Sequence, residues 1–259
     1  MTKHIFIPDM QVKPGVNTDH IEALGHYIVE KQPDVIINVG DTWDMPSLSS
    51  FDRAGSKKME GQRYLEDVQA GNDAMDRLMK PLYRFNRQQA ANKKKQYKPR
   101  LEFFMGNHEY RINRATENEA KLDGLLSTDA FNLKKHGWNI HEFLEVEDID
   151  GILYSHYFVN PSGLTGFPIG GTIDNKLRHI GCSFSQGHQQ QLQYGIKYTA
   201  AGTALHGLVC GSFYSHDEDY LGPQKNKEHW RGIVMKHEVR EGRYDPMFVS
   251  LDYLLRRYM

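Results

Sequence analysis

A short apolar run that stops abruptly in polar residues is the feature that most constrains the fold of this chain. Residues 101–105 have the length and composition of a buried strand. Gly106 follows and frees the backbone to turn. Asn107, His108 and Glu109 then supply an amide, an imidazole and a carboxylate. Ligands of open α/β sheets lie beyond the carboxyl ends of strands. This position is therefore expected to carry chemistry if other strands end in a similar way.

Other predicted strands do end in residues that can bind a cation or act on a substrate. The polar residues at the predicted strand ends are Asp9 and Gln11, Asp41 and Asp44, Asn107 and His108, His156, and His188 and Gln190. A single aspartate after a strand is usually a turn former or a helix cap, and a single histidine is usually structural. Ligand-type residues at five strand ends are better explained by a site for one or two divalent cations.

The spacing of apolar residues predicts alternating strands and helices. The first strand, 4–8, and the second, 34–40, flank a helix that ends near Lys31, and together they form a βαβ unit. Further strands are predicted at 101–105, 139–146, 151–155, 181–186, 205–213 and 232–239. Further helices are predicted at 62–91, interrupted near Gly71 or Pro81, and at 110–135 and 172–179. Loops are expected at 47–60 and 161–171, and an apolar, then basic, tail at 248–259.

Length and composition favour one domain in an aqueous compartment. The chain has 259 residues, a formal net charge of −1 and an apolar content of 39%, so we expect a single domain over 1–259. It contains no apolar stretch of membrane-spanning length, and its amino-terminal apolar run is too short for a signal peptide. We therefore expect a cytoplasmic protein without a membrane partner. Cys182 and Cys210 lack the spacing of a thiolate metal site and are interpreted as core thiols.

A basic segment lies before the 101–105 strand. The part from 87 to 100 contains no acidic residue, and its basic residues are Arg87, Lys93, Lys94, Lys95, Lys98 and Arg100. This pattern is typical of a solvated helix end and loop. It is also the electrostatic pattern of a contact with a nucleic-acid backbone, and both interpretations stay open.

In these motifs the sequence resembles the calcineurin-like metallophosphoesterase superfamily. The motifs of that family are, in order, Asp-x-His, Gly-Asp, Gly-Asn-His-Asp/Glu, a lone His and Gly-His-x-His. The matching residues span about 5–195 and are Asp9 with Gln11, Gly40 with Asp41, Gly106 to Glu109, His156, and Gly187 to Gln190. The resemblance implies an α/β fold, a four-layer αββα sandwich with two mixed sheets. It also implies a two-metal site at the sheet ends. Within the single domain, we interpret about 57–100 as a helical, basic insertion.

The resemblance further implies a set of metal ligands. Asp41 would bridge two ions. One ion would be completed by Asn107, His156 and His188. The other ion would be held by Asp9 together with Gln11 and Gln190.

Both glutamines stand where the family has histidine. An amide oxygen is a weaker ligand and favours Mn²⁺ or Mg²⁺ over Zn²⁺. We therefore expect two divalent ions, with Mn²⁺ preferred and Mg²⁺, Zn²⁺ or iron as alternatives. The ion held by Gln11 and Gln190 is expected to be the weaker one.

The resemblance also implies the catalytic residues. His108 would bind no metal, and would instead face the substrate and protonate or stabilise the leaving oxygen. Asp44 would orient His108. In the related subset an arginine follows this aspartate, whereas the next residue here is Met45. Arg111 and Arg114 are therefore candidates for binding the phosphate.

The resulting prediction is a metal-dependent phosphoesterase that uses a metal-bound water. The basic segment, the missing arginine and four aromatic residues favour a phosphodiester substrate, either a nucleotide or a nucleic acid as in nucleases. The aromatic residues are Trp43, Tyr110, Tyr157 and Phe158. One alternative is a phosphomonoesterase that acts on a phosphoprotein or a small phosphate ester. The second alternative is a non-catalytic scaffold that retains the fold.

Overall fold

Two mixed β-sheets form the centre of the protein. The structure is a computed structural model that describes residues 1–50, 55–160, 166–218 and 222–259. Its strands are β1 (Thr2–Ile7), β2 (Val35–Asn38), β3 (Arg100–Phe104), β4 (Asn139–His141), β5 (Glu147–Ile149), β6 (Ile152–Tyr154), β7 (Phe184–Gln186), β8 (Gln193–Tyr198), β9 (Ala204–Val209), β10 (Gly232–Arg240) and β11 (Arg243–Ser250). Its helices are α1 (Asp19–Lys31), α2 (Tyr64–Ala91), α3 (Arg111–Asn118), α4 (Leu133–His136), α5 (Ile173–Ile180), α6 (Gly222–Glu228) and α7 (Leu251–Tyr258).

The strand order places the central parallel strands side by side. The first sheet has the order β11-β10-β1-β2-β3-β4, and β1 to β4 pair in parallel. The second sheet has the order β5-β6-β7-β9-β8, with β6, β7 and β9 in parallel. The parallel pairing of β1 and β2 around α1 confirms the predicted βαβ unit. Because parallel strands point the same way, their carboxyl ends meet at one edge of each sheet.

Alternating side chains of the strands separate two apolar layers. Ile5 and Ile7 belong to the cluster that includes buried residues of α1, α2 and α7. Phe6, on the opposite face of β1, packs instead with Tyr154 and Leu208 of the second sheet. Period-two alternation explains this division, since successive strand residues point to opposite faces.

A third apolar cluster covers the outer face of the second sheet. It joins Leu177 of α5 to Phe184 of β7. Helices therefore flank both sheets, and the protein is a four-layer αββα sandwich with two mixed sheets, as predicted. In the part of the chain that the structure describes, no helix is both long enough and apolar enough to cross a membrane.

Helix α2 is one continuous helix, so the predicted interruption at Gly71 or Pro81 is wrong. Both residues instead serve close packing. An added Cβ on Gly71 would lie 2.0 Å from Trp43 Cδ1, and Pro81 contacts α1 at Gly25. The segment 57–100 thus contains α2, which is the crossover helix between β2 and β3. The buried face of α2 belongs to the main core.

Several boundaries differ from the predictions. The predicted helix 110–135 is wrong: α3 ends at Asn118, short 3₁₀ turns follow, and α4 has only four residues. The reason is that α3 buries just Arg111 and Ile112, and Ser127 caps a new turn by accepting from Asp129 N. Strand β8 was not predicted, and the tail 248–259 forms the end of β11 and then α7.

Two expected loops lie only partly within the described residues. Residues 51–54 of the loop 47–60 and residues 161–165 of the loop 161–171 lie outside them. Cys210 is buried, as predicted, whereas Cys182 is exposed, so its assignment to the core is wrong; neither forms a disulfide.

The contact between Gly71 and Trp43 generates a stability prediction. Alanine at position 71 would raise helix propensity, but its Cβ would overlap the indole ring. We expect Gly71→Ala to lower the free energy of unfolding by about 2 kcal/mol in urea titrations. The control is Gly170→Ala, where an added Cβ meets no atom within 4 Å. Equal stability of the two variants would contradict this account of the packing.

Candidate metal centre

The predicted site residues gather at the carboxyl edge of the two sheets. Asp9, Asp41 and Asn107 follow β1, β2 and β3, while His156 and His188 follow β6 and β7. Both aspartates and His156 are buried, although all three are polar. Residues from both sheets therefore meet where the parallel strands end.

One group of ligands converges on a single point. Asp41, His156 and His188 each offer an atom within 4.8 Å of the others. Asn107 Oδ1 lies 2.9 Å from both His156 Nε2 and His188 Nδ1. His156 Nδ1 lies 2.6 Å from the Val39 carbonyl, to which it can only donate, and this leaves Nε2 free to bind a cation. Burial lowers the pKa of His188 to about 4, which favours the neutral imidazole that metals require.

A second group contains buried oxygen atoms without partners. Among the described residues, neither Asp9 Oδ2 nor Gln11 Oε1 has a hydrogen-bond partner. Burial, reinforced by the neighbouring carboxylate of Asp41, raises the pKa of Asp9 to about 6. Gln190 differs, because its Oε1 accepts a hydrogen bond of 3.0 Å from the Tyr214 hydroxyl. Unpartnered buried oxygens cost free energy unless something compensates them, so this donor set fits a hard divalent cation.

The Glu109 carboxylate fixes the backbone around Asp41. It is fully buried, and Oε2 accepts from Asp41 N and Gly106 N at 2.8 and 2.9 Å. Oε1 accepts from Thr42 N and Trp43 N at 2.7 and 3.0 Å. Burial and the charge of Asp41 raise the pKa of Glu109 to about 7, while the amide donors oppose this by favouring the ionised form. The sequence motif contained Glu109 but did not indicate this role.

Two glycines allow carboxylates to approach the backbone. A Cβ on Gly106 would lie 2.1 Å from Asp41 Oδ1, and one on Gly187 would lie 2.5 Å from Asp9 Oδ1. Because neither glycine has a side chain, both carboxylates can accept backbone hydrogen bonds there. Asp41 Oδ1 accepts from His108 N at 2.9 Å, and Asp9 Oδ1 accepts from His188 N at 3.0 Å. Glycine is required at both positions because any side chain would displace the carboxylate.

The site also holds several backbones in the left-handed region. Its non-glycine residues with positive φ are Gln11 (42°), Asp41 (48°), Met45 (51°), His188 (66°) and Gln190 (59°). Such conformations cost free energy and persist where the surrounding structure enforces them, as at functional sites.

His108 forms a close pair with Asp44. His108 Nδ1 lies 2.7 Å from Asp44 Oδ1 and 3.0 Å from the Asp44 carbonyl oxygen. Burial alone would lower the pKa of His108, but the carboxylates of Asp41 and Asp44 outweigh burial and raise it to about 9. Arg111 Nη2, 3.2 Å from Nε2, favours the neutral ring, and a cation on Asp41 would add to that effect.

The two predicted phosphate-binding arginines have different surroundings. Arg111 is buried and Nη1 donates to the carbonyl oxygens of Asp44 and Met45, so its guanidinium is committed to the protein. Arg114 is half-buried, and its Nη2 donates to the Asn107 carbonyl at 3.3 Å. Of the two, Arg114 has the greater freedom to face a substrate.

Lys13 and Glu218 extend this network and were missed by sequence reasoning. Lys13 Nζ lies 2.8 Å from both Glu218 carboxylate oxygens and 3.3 Å from Asp44 Oδ2. His216 Nε2 also lies 2.7 Å from Glu218 Oε1. No local pattern in the sequence could have linked residues 13 and 218, because the fold alone brings them together.

Only part of the predicted aromatic set lies at the site surface. Trp43 is fully buried and stacks on Phe131, and Phe158 packs in the core of the second sheet, so neither can stack on a base. Tyr110 is half-buried, and the Tyr157 ring lies 4.6 Å from the His188 ring. Tyr157 is buried, so Tyr110 remains as the candidate.

Comparisons with known proteins add a distant structural likeness. No protein-family model and no curated protein matches this chain. Among solved structures, it is similar to YfcE, described as a phosphoesterase from E. coli, with 9% identity and a TM-score of 0.34. The match covers 96% of this chain and 100% of that chain. At this similarity, the chemistry of the site rests on the residues of the chain itself.

The Glu109 interactions predict a large loss of stability on removal of the charge. Backbone N–H groups donate to both oxygens of the Glu109 carboxylate. In Glu109→Gln, the NH₂ group of the new amide would face some of these donors and could not accept from them. We expect the free energy of unfolding to fall by about 3 kcal/mol in urea titrations. Glu60→Gln, at an exposed position, is the matched control and should change stability by less than about 0.5 kcal/mol. A Glu109→Gln protein as stable as this control would refute the role given to the carboxylate.

Proposed function

We propose that the protein is a metal-dependent phosphoesterase that hydrolyses a phosphodiester in a nucleotide or a nucleic acid. One observation carries the proposal: neighbouring residues of one motif face different partners. Asn107 Oδ1 lies against His156 and His188, whereas His108 pairs with Asp44. A group that binds a cation and a group that handles a proton are thus held side by side.

The proposed cofactor is a pair of divalent ions, preferably Mn²⁺. Asp41, Asn107, His156 and His188 would hold one ion, and Asp9, Asp41, Gln11 and Gln190 the other. Bound divalent ions neutralise phosphoryl oxygens and lower the pKa of a coordinated water. The unpartnered oxygens of Asp9 and Gln11 support the second position. Its weaker affinity is supported by Gln190, whose carbonyl oxygen already accepts from Tyr214.

Side chains of the protein would protonate the leaving group. Asp44 accepts from His108 Nδ1 and fixes the orientation of the ring. His108 Nε2 then lies 3.8 Å from Asp41 Oδ2, on the side of the metal ligands. In its protonated form the ring would donate the Nε2 proton to the leaving oxygen, and Arg111 beside Nε2 would promote this transfer because it favours the neutral ring that results. Lys13 would hold the second oxygen of Asp44 in place.

The charges around the site favour a diester over a monoester. A phosphodiester carries one negative charge, whereas a phosphomonoester carries up to two and needs more cationic contacts. Lys13 is committed to Asp44 and Glu218, and Arg111 is committed to backbone carbonyls. Of these candidate cations, Arg114 alone would meet the substrate, which suits the lower charge.

The first test compares two chromogenic substrates in the presence of Mn²⁺. We expect faster hydrolysis of bis-p-nitrophenyl phosphate than of p-nitrophenyl phosphate. His108→Ala should lower kcat by about 10²- to 10⁴-fold, the usual contribution of a general acid, while metal content stays unchanged. His179→Ala, at an exposed position of α5, is the matched control and should retain full activity.

Three outcomes would contradict the proposal. Preference for the monoester would favour the phosphomonoesterase alternative. Absence of activity with every divalent metal would favour the scaffold alternative. Loss of metal together with activity in His108→Ala would show that the role of His108 is misassigned.

The second test is a calorimetric titration with Mn²⁺. We expect two binding events of unequal affinity, because the ligand set around His156 is complete and Gln190 is engaged by Tyr214. Asp9→Asn should remove the weaker event and preserve the stronger one. Two equally tight events, or loss of both in Asp9→Asn, would contradict the proposed asymmetry.

A further inference from the structure

Charge is distributed very unevenly along this nearly neutral chain. The stretch between Asp76 and Glu102 contains nine of the 32 basic residues and none of the 33 acidic residues. Because the whole chain carries −1, removing these nine cations leaves −10 on the remainder. A polyanion would therefore be attracted to this part of the surface and repelled from much of the rest.

The fold arranges the first four of these cations on one face of α2. Arg77, Lys80, Arg84 and Arg87 are spaced by three, four and three residues, which places them on the same side of a helix. They extend over about 15 Å of the helix axis. Together with Lys135 of α4, they line a cavity of about 490 Å³, here termed the basic groove.

Among the residues that the structure describes, two cations of the basic groove have no ion pair. Arg77 pairs with Asp19 and Glu22, Lys80 pairs with Glu22, and Lys135 pairs with Asp76. In contrast, neither Arg84 nor Arg87 has a carboxylate partner within the described residues, and the remaining basic residues of the segment follow just beyond the helix. These guanidinium groups are available for phosphate oxygens, which they can bind with two parallel hydrogen bonds.

An aromatic ring completes the wall of the basic groove. The Tyr83 side chain is 42% exposed, so part of its ring is open to a ligand. Its hydroxyl lies 2.6 Å from His136 Nδ1, and His136 Nε2 lies 2.6 Å from Asp76 Oδ1. The ring is thus fixed in place beside Arg84 and Arg87, a combination that suits stacked bases and backbone phosphates better than lipid headgroups.

We propose that the basic groove binds the backbone of a nucleic-acid strand at a distance from the metal centre. The helix connects the two places. Asp67, near the start of α2, accepts from Ser47 N beside the candidate active site. Measured from Asp67 along the helix axis, Arg77 lies at about 15 Å and Arg87 at about 30 Å. A nucleic-acid strand would need roughly five nucleotides to reach Arg77 and roughly nine to reach Arg87.

The test is fluorescence anisotropy with a labelled 20-nucleotide single strand, in EDTA so that no metal-dependent cleavage occurs. Arg84→Gln/Arg87→Gln should weaken binding about tenfold at low salt and reduce the slope of log K against log salt by about 1.4. The control, Arg178→Gln/Arg240→Gln, removes the same charge at exposed positions away from the groove and should bind like the parent protein.

Hydrolysis of bis-p-nitrophenyl phosphate with Mn²⁺ separates this proposal from the proposed activity. The groove variant should hydrolyse this small substrate at the parental rate, because neither arginine touches the metal centre. Equal weakening in both double variants, or none in the groove variant, would overturn the groove. So would binding to anionic phosphatidylserine vesicles in place of nucleic acid. A protein that binds the strand through the groove but hydrolyses nothing would overturn only the proposed activity.

Discussion

The Glu109 carboxylate is the interaction on which the candidate site depends. It joins the end of β2 to the end of β3 through four backbone amides, including that of Asp41. Asp41 has φ of 48°, in the left-handed region, which costs free energy for a residue with a Cβ. The amide of Asp41 is held by Glu109, and its Oδ1 is held by His108 N. One buried carboxylate thus positions both Asp41 and the motif that follows β3.

This arrangement concentrates negative charge. Asp9, Asp41 and Glu109 are all buried at the same edge of the sheets, and burial raises the pKa of both Asp9 and Glu109. Charge of one sign in a poorly solvated site is unfavourable unless cations balance it. Glu109 is satisfied by amides, whereas Asp9 Oδ2 has no partner among the described residues. These electrostatics therefore favour divalent cations at this edge of the sheets.

The sequence was informative where chemistry follows a strand directly. Apolar runs predicted β1, β2 and β3, and their polar ends predicted the residues that meet at the site, because parallel strands deliver their ends to one edge. Helix boundaries were less predictable: α3 buries just Arg111 and Ile112, so little packing extends this helix beyond Asn118. Contacts between distant segments, such as Lys13 with Glu218, depend on the closed fold and leave no local pattern. The burial of Trp43 likewise became clear only from its stack on Phe131.

Helix α2 physically links the candidate metal centre to the basic groove. Near its beginning, Gly71 packs against Trp43, and Asp67 accepts a hydrogen bond from Ser47 N. This end of the helix therefore supports the loop that carries Asp44. Its later turns bear Arg84 and Arg87 of the basic groove. A rigid helix keeps these two regions at a fixed separation. A mononucleotide could use only the first region, whereas a polymer would contact both. The combination therefore favours a nucleic-acid strand over a free nucleotide as the substrate of the proposed phosphodiesterase.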